Sequence, residues 1–206
     1  MLRYNKLKSK QKILPFFPLG VFLLPGEDLP LRIFEPRYLQ LIDDASEEDF
    51  TFVIPYAKND EVMEYGCEVK LQQVVAESQQ GQKVITVESV SLVRINNYTS
   101  TMADKLYPGG NVEPLPPATP VKSRQLVDKV MKYLKDFDKN FLKLNKGEAL
   151  HYYDVLRSLN VSSEDKFRFV MQHSDEYREK YLIKQIEYLM MIKQQEQKLN
   201  NDFHLN

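Results

Sequence analysis

Gly66-Cys-Glu-Val-Lys-Leu-Gln-Gln-Val-Val-Ala-Glu77 and Lys83-Val-Ile-Thr-Val-Glu-Ser-Val-Ser-Leu-Val-Arg-Ile-Asn-Asn-Tyr98 flank the short segment Ser78-Gln-Gln-Gly-Gln82. Both arms are rich in β-branched residues, and Gly81 supplies the residue a hairpin turn wants. Val69 and Leu71 alternate, and then the apolar phase slips to Val74 and Ala76. Ile85 and Val87 alternate, and then the phase slips to Val90 and Leu92. A one-residue slip is the mark of a β-bulge, and bulges bend sheets toward closure. The pair therefore predicts a closed or nearly closed small barrel.

Working outward, Ile13 to Leu24 is aromatic, β-branched and interrupted by Pro15 and Pro18, as in short edge strands or barrel rims. Pro25-Gly26 marks a turn, and Leu29 to Phe34 reads as another strand. Pro36 suits the first turn of a helix over about 36–46, with Tyr38, Leu41, Ile42 and Ala45 as its apolar stripe. Thr51 to Pro55 is a short strand. Residues 108–120 hold five of the 11 prolines and read as a connector.

Beyond the connector the period is helical. Val127, Val130, Met131, Leu134, Phe137, Phe141 and Leu144 form one stripe, and a second helix covers about 148–159. Ser162-x-x-Asp165 opens a third helix, and Ser174 caps a long fourth one. The expected organisation is α+β. A flexible basic arm (1–12) precedes a β-rich barrel with one short helix (13–107) and the connector (108–120). A helical bundle subdomain (121–200) and a tail (201–206) follow.

Composition fits a soluble globular chain with a sizeable core. The 206 residues are 43% hydrophobic and 28% charged, with a net charge of −1. Residues 1–118 carry 12 Lys/Arg against 16 Asp/Glu, and residues 119–206 carry 16 against 13. A barrel half at −4 disfavours phosphate binding; only the arm with Arg3, Lys6, Lys8, Lys10 and Lys12 is suitably basic. The single cysteine, Cys67, permits no internal disulfide and fits a reducing compartment. The basic start followed by an apolar run resembles a signal peptide, but the run holds two prolines and lacks a small-x-small site. It is also too short to span a bilayer. A cytoplasmic location is expected.

The sequence holds no G-x-x-x-x-G-K-[ST] phosphate loop and no G-x-S-x-G elbow, and Gly109-Gly110 open no helix. His151, His173 and His204 have no i, i+4 partner, and Cys67 has no C-x-x-C partner. No metal, no cofactor and no catalytic residue are expected. Cys67 reads as a buried strand residue rather than a nucleophile, and Asp43, Asp44, Glu47, Glu48 and Asp49 read as a solvated acidic face.

Leu14-Pro-Phe-Phe-Pro-Leu-Gly-Val-Phe-Leu-Leu-Pro-Gly26 followed by Leu29-Pro-Leu-Arg-Ile-Phe-Glu-Pro-Arg-Tyr38 resembles the opening signature of the Lon protease N-terminal, substrate-binding domain family. Tyr65 to Val69 and Ile85 to Ile95 resemble later strands of that family, with Ser89 where glycine is usual. Leu156-x-x-Leu159, Ser162-x-x-Asp-Lys166 and the helix from Ser174 extend the likeness over about 13–195. The resemblance implies a PUA-like β pseudo-barrel followed by helices. It implies recognition of unfolded or tagged polypeptides, or of a partner protein, without the ATPase and peptidase of full-length Lon. Phe16, Phe17, Phe22, Phe34 and Tyr38 are the candidate contacts, with Arg37 as a possible peptide-carboxylate ligand. Each aromatic has core packing as its competing reading, and Arg37 has pairing with Glu35. RNA binding and an undetected hydrolase are the alternative functions.

Overall fold

The computed structural model describes residues 11–137, 149–172 and 174–203. The chain falls into two compact units, 1–117 and 118–206. In the first, β1 (Lys12–Pro15), β2 (Asp28–Ile33), α1 (Pro36–Glu48), β3 (Phe52–Lys58), β4 (Glu61–Glu77), β5 (Lys83–Ile95) and β6 (Gly109–Pro114) follow in order. The strands form one antiparallel sheet ordered β1-β6-β5-β4-β3, and β2 also pairs with β5.

Residues just after β1 close the ring. Phe16 bridges Val53 and Leu19 bridges Tyr56, both parallel. Phe17 N donates to Val53 O (2.8 Å), and Leu19 N donates to Pro55 O (3.1 Å). The expected bulges are present. Gln72 and Val75 are extra residues on β4, and Val90 is extra on β5. They sit where the apolar phase slips in the sequence. The β4–β5 hairpin is longer than the ring needs, so its distal half, flanked by β2, runs on as a three-stranded arm.

Inside the ring, Phe16, Val53, Val93 and Val112 are fully buried, with Leu14 and Ile95 against them. Tyr38, Leu41, Ile42 and Ala45 are the buried face of α1, whose first residue is Pro36. Asn59 and Asp60, with φ of 53° and 63°, make the tight turn between β3 and β4. Two consecutive positive φ values give the hairpin twist that two-residue loops prefer.

Two expected boundaries are corrected. Lys12 is the first residue of β1 and not part of a loose arm; residues 1–10 of that arm lie outside the described residues. The segment 108–120 is not wholly a connector, because Gly109–Pro114 is strand β6, paired with β1 and β5. Gly109 and Gly110 permit close packing within this strand. A Cβ on Gly110 would clash with the backbone oxygen of Asn97, and one on Gly109 would meet Met102.

The second unit contains α2 (Arg124–Phe137), α3 (Tyr152–Ser158), α4 (Ser163–Val170) and α5 (Asp175–Phe203). Leu126, Val130, Tyr152, Val155, Leu156, Phe169, Leu182 and Ile186 are among its buried side chains. Ser162 Oγ accepts from Asp165 N at 3.1 Å, and Ser174 Oγ accepts from Tyr177 N at 3.3 Å, so both caps read from sequence are made. Phe141 and Leu144 lie outside the described residues. Helix α5 continues to Phe203, so the expected tail is helical through its first half.

One polar cluster ties the barrel together. The Glu68 side chain is 6% exposed. It accepts from Lys12 Nζ (3.0 Å), Thr51 Oγ1 (2.7 Å) and Ser91 Oγ (2.8 Å). Burial alone would push this carboxyl up, but the three donors and the lysine charge outweigh it and hold it below the usual range. A depressed folded-state value stabilises the fold above the unfolded value and is lost as pH falls through the folded one. Glu68→Ala is expected to cost about 2–3 kcal/mol at neutral pH. The gap to wild type should narrow as pH drops below about 4, which denaturant melts at a series of pH values would measure.

Ser89 is 1% exposed, and its hydroxyl has no hydrogen-bond partner among the described residues. Its backbone is fully used: N donates to Glu27 O, and O accepts from Gly26 N. Glycine, usual here in the resembled family, would bury no hydroxyl. Ser89→Ala is therefore expected to hold or raise stability by about 1 kcal/mol, read as an unchanged or higher denaturation midpoint.

Candidate functional surface

Four of the six candidate contact residues are interior. Phe16 and Phe22 are fully buried, and Phe17 and Tyr38 are each 6% exposed. The rings of Phe17 and Tyr38 pack at 4.1 Å between centroids, and Phe22 packs edge-on to Tyr56 at 5.9 Å. The reason is ring closure: the Phe16–Leu19 segment bridges β3, so its neighbouring aromatics fall on the core. They build the barrel and do not present a surface. Arg37 is exposed, but its guanidinium donates to Glu35 Oε2 (2.6 Å) and lies 4.8 Å above the Tyr38 ring. The hydrogen bond to Glu35 raises its pKa further. Arg37 is thus already engaged by a carboxylate of its own chain. Phe34 alone of the five aromatics stands in solvent, at 61% exposed.

The acidic face of α1 is neutralised from three directions. Lys83 pairs with Asp43, Lys70 with Asp49 (3.0 Å), and Lys105 with Asp44 (2.7 Å). Tyr107 also donates to Asp44 at 2.8 Å. Burial raises the Asp44 carboxyl, but Lys105 and Tyr107 prevail and lower it. Burial, and then Asp44, push the Tyr107 hydroxyl well above its ordinary value. These contacts fasten the loop after β5 to α1. No group of three or more His, Cys, Asp or Glu among the described residues is arranged to hold a metal ion.

Cys67 is buried. Its sulfur accepts from Leu23 N and donates to Leu23 O, both at 3.0 Å. The thiol pins the Phe22–Leu24 segment to β4, which is a structural use.

One accessible apolar patch lies on the arm. Val75 is 56% exposed, Val74 41% and Val84 37%. Val84 is flanked in register by Arg32 on β2 and Ala76 on β4. These residues, with Glu77, Ser78, Gln82 and Lys83, line an open groove. Phe34 lies two residues on from Arg32, just past the last paired position of β2, Ile33 with Lys83. Arg32 donates to Gln82 at 2.7 Å and forms part of a polar rim. Strand periodicity alone does not mark Val74, Val75 and Val84 as surface positions. The missed signal is length, because β4 and β5 are 17 and 13 residues long while β2 has six. A hairpin that outruns its neighbours must expose apolar positions.

A family model described as the ATP-dependent protease La (LON) substrate-binding domain matches residues 13–201. The chain belongs to that family. Among solved structures it is similar to a Lon N-terminal domain protein from Xanthomonas campestris. That match has 20% identity and a TM-score of 0.65, and covers 84% of this chain and 97% of that one. It is also similar to the N-terminal domain of a Mycobacterium avium complex Lon protease. There the identity is 15% and the TM-score 0.63, covering 85% and 98% of the two chains. At these identities the likeness speaks to the fold. Among curated proteins, no sequence matches this chain. No helix of the described residues is long and apolar enough to cross a membrane.

Phe16→Ser combined with Phe22→Ser removes two fully buried rings. Each is expected to cost about 3–5 kcal/mol. The double variant should therefore lose cooperative unfolding, and a native-like thermal melt would show that these rings are not core.

Proposed function

We propose that this chain is a non-catalytic polypeptide-binding module built on a PUA-like barrel, and that clients contact the outward face of the β2–β5–β4 arm. The observation that carries the reading is the exposure of Val84 (37%) in an open groove, with Phe34 (61%) just past the last paired position of β2, in a chain of a substrate-binding family. Apolar side chains that no core covers gain free energy when a partner removes them from water, at about 25 cal/mol per Å². An aromatic anchor within a polar rim is the usual arrangement of an energetically productive contact. Arg32, Gln82, Glu77 and Lys83 supply that rim here. An unfolded segment offers both apolar side chains and free backbone groups, whereas a folded protein offers few of either.

Binding of this kind needs no nucleophile and no metal. The buried thiol of Cys67 and the lysine-paired acids of α1 already have structural employment. Any unfolding or cleavage of a bound client is assigned to residues outside these 206.

Phe34→Ser with Val84→Ser tests the placement. Binding of a fluorescein-labelled, permanently unfolded polypeptide is expected to weaken roughly tenfold, about 1.4 kcal/mol, with the thermal midpoint unchanged. Equal affinity in a folded double variant would move the client surface off the arm. Absence of any affinity in the wild type would refute the function itself.

A further inference from the structure

The outward face of the arm is concave in two places, and the strand register lines them up. On β5, Val84, Thr86 and Glu88 alternate with the fully buried Ile85 and Val87, so these three share the face turned away from the core. Arg32, Pro30 and Asp28 stand opposite them on β2, and Ala76, Gln73 and Lys70 on β4. Val84 lies in the groove already described. Thr86 and Glu88 line a second, larger hollow of about 430 Å³, together with Asp28, Gln72, Gln73 and Gly26. Alternate strand positions are about 7 Å apart, which sets Glu88 about 14 Å from Val84 along β5.

The two hollows differ in charge. Arg32 and Lys83 stand at the first, whereas the second holds two carboxylates and no Lys or Arg. Asp28 and Glu88 are directly opposed in register. Like charges so placed destabilise a sheet. No cation pairs with either among the described residues: Lys70, opposite Glu88 on β4, lies against Asp49 at 3.0 Å. Glu88 accepts a hydrogen bond from Gln72, and the Asp28 carboxylate has no partner among the described residues.

We infer that the second hollow takes a lysine or arginine side chain of the same client segment whose apolar side chain enters the first groove. This rests on the polypeptide-binding reading above and adds a preference among clients. A segment laid along β5 in extended conformation turns every second side chain toward the arm. Its basic residue then stands four positions from its apolar one, matching the step from Val84 to Glu88. At three positions it points away from the arm. The client's cation supplies the countercharge that Asp28 and Glu88 lack, and Thr86 and Gln73 offer further oxygen acceptors. Ion pairs this exposed are weak, so the hollow selects among clients more than it holds them.

Two fluorescein-labelled Gly/Ser-rich peptides of identical composition test this, each with one leucine and one lysine. The lysine stands four positions from the leucine in one and three in the other, and both chain orders are made. Net charge is equal, so a general attraction of cations to the acidic unit cancels. In one chain order the four-position peptide is expected to bind the wild type roughly fivefold tighter at low salt, the upper end for an exposed ion pair. The advantage should shrink as salt is added. Asp28→Asn with Glu88→Gln should abolish it, with the thermal midpoint unchanged or higher because the opposed charges are gone. Equal affinities for the two spacings in both orders overturn the inference and leave polypeptide binding standing. A spacing preference that survives in the folded double variant overturns it as well. Failure of the wild type to bind either peptide or the unfolded polypeptide removes the function and this inference together.

Discussion

A carboxylate sealed from water is tolerable only if donors replace the hydration it has lost, and Glu68 meets that condition through four parts of the chain at once. Lys12 comes from β1, Thr51 from the residue before β3, Ser91 from β5, and Glu68 itself from β4. None of the donors is local in sequence: the separations are 56, 17 and 23 residues. The group is therefore satisfied only when the strands have met in the native register. A register slip of one residue would turn Glu68 outward and an apolar neighbour inward, and would strand the three donors. The polar cluster and the apolar interior around Phe16, Val53, Val93 and Val112 thus demand the same arrangement.

The second organising feature is the change of partner along β5. Residues 83–88 lie between β4 and β2, whereas residues 93–95 lie between β4 and β6. The bulge at Val90 falls between these two regions, beside Ser89, whose backbone bonds to Gly26 and Glu27. One strand can serve both the barrel and the arm because this bulge redirects it. The buried, unpartnered hydroxyl of Ser89 lies at the same place.

Much of this was legible in the residues. The phase slips at Leu71–Val74 and Val87–Val90 gave the bulges, the Tyr38–Ala45 stripe gave α1, and Ser162 and Ser174 gave two helix starts. Each is a local signal with a local cause. What escaped depended on contacts distant in sequence. Strand β6 was hidden because the five prolines of residues 108–120 read as a connector, and Gly109 and Gly110 carry no side chains to show a strand pattern. Their lack of side chains is needed for the approach of Asn97 and Met102, which the sequence does not place nearby. Lys12 looked like one of five arm charges, and only Glu68, 56 residues on, makes it a strand residue. Asn59-Asp60 lacks the glycine that marks most two-residue hairpins, yet both residues take positive φ.

Four of the five aromatic candidates, Phe16, Phe17, Phe22 and Tyr38, are interior for a more general reason. The motif that carries the family likeness, Leu14 to Gly26 and Leu29 to Tyr38, supplies Phe16, Phe22, Leu24, Ile33 and Tyr38 to the interior. A motif of that kind is strong because closing a small barrel fixes which residues face inward, and it therefore reports the fold far more than the client. Contact surface is subject to no such packing constraint. In this unit the chain extends past its own core at the arm. Its strands are long enough to keep their backbone hydrogen bonds but too far from the barrel to bury Val74, Val75 and Val84. The same geometry that leaves those side chains in water leaves the β4 edge unpaired. The core and the proposed binding surface thus lie on separate parts of one hairpin, and the surface of the arm can vary without disturbing the ring that Glu68 closes.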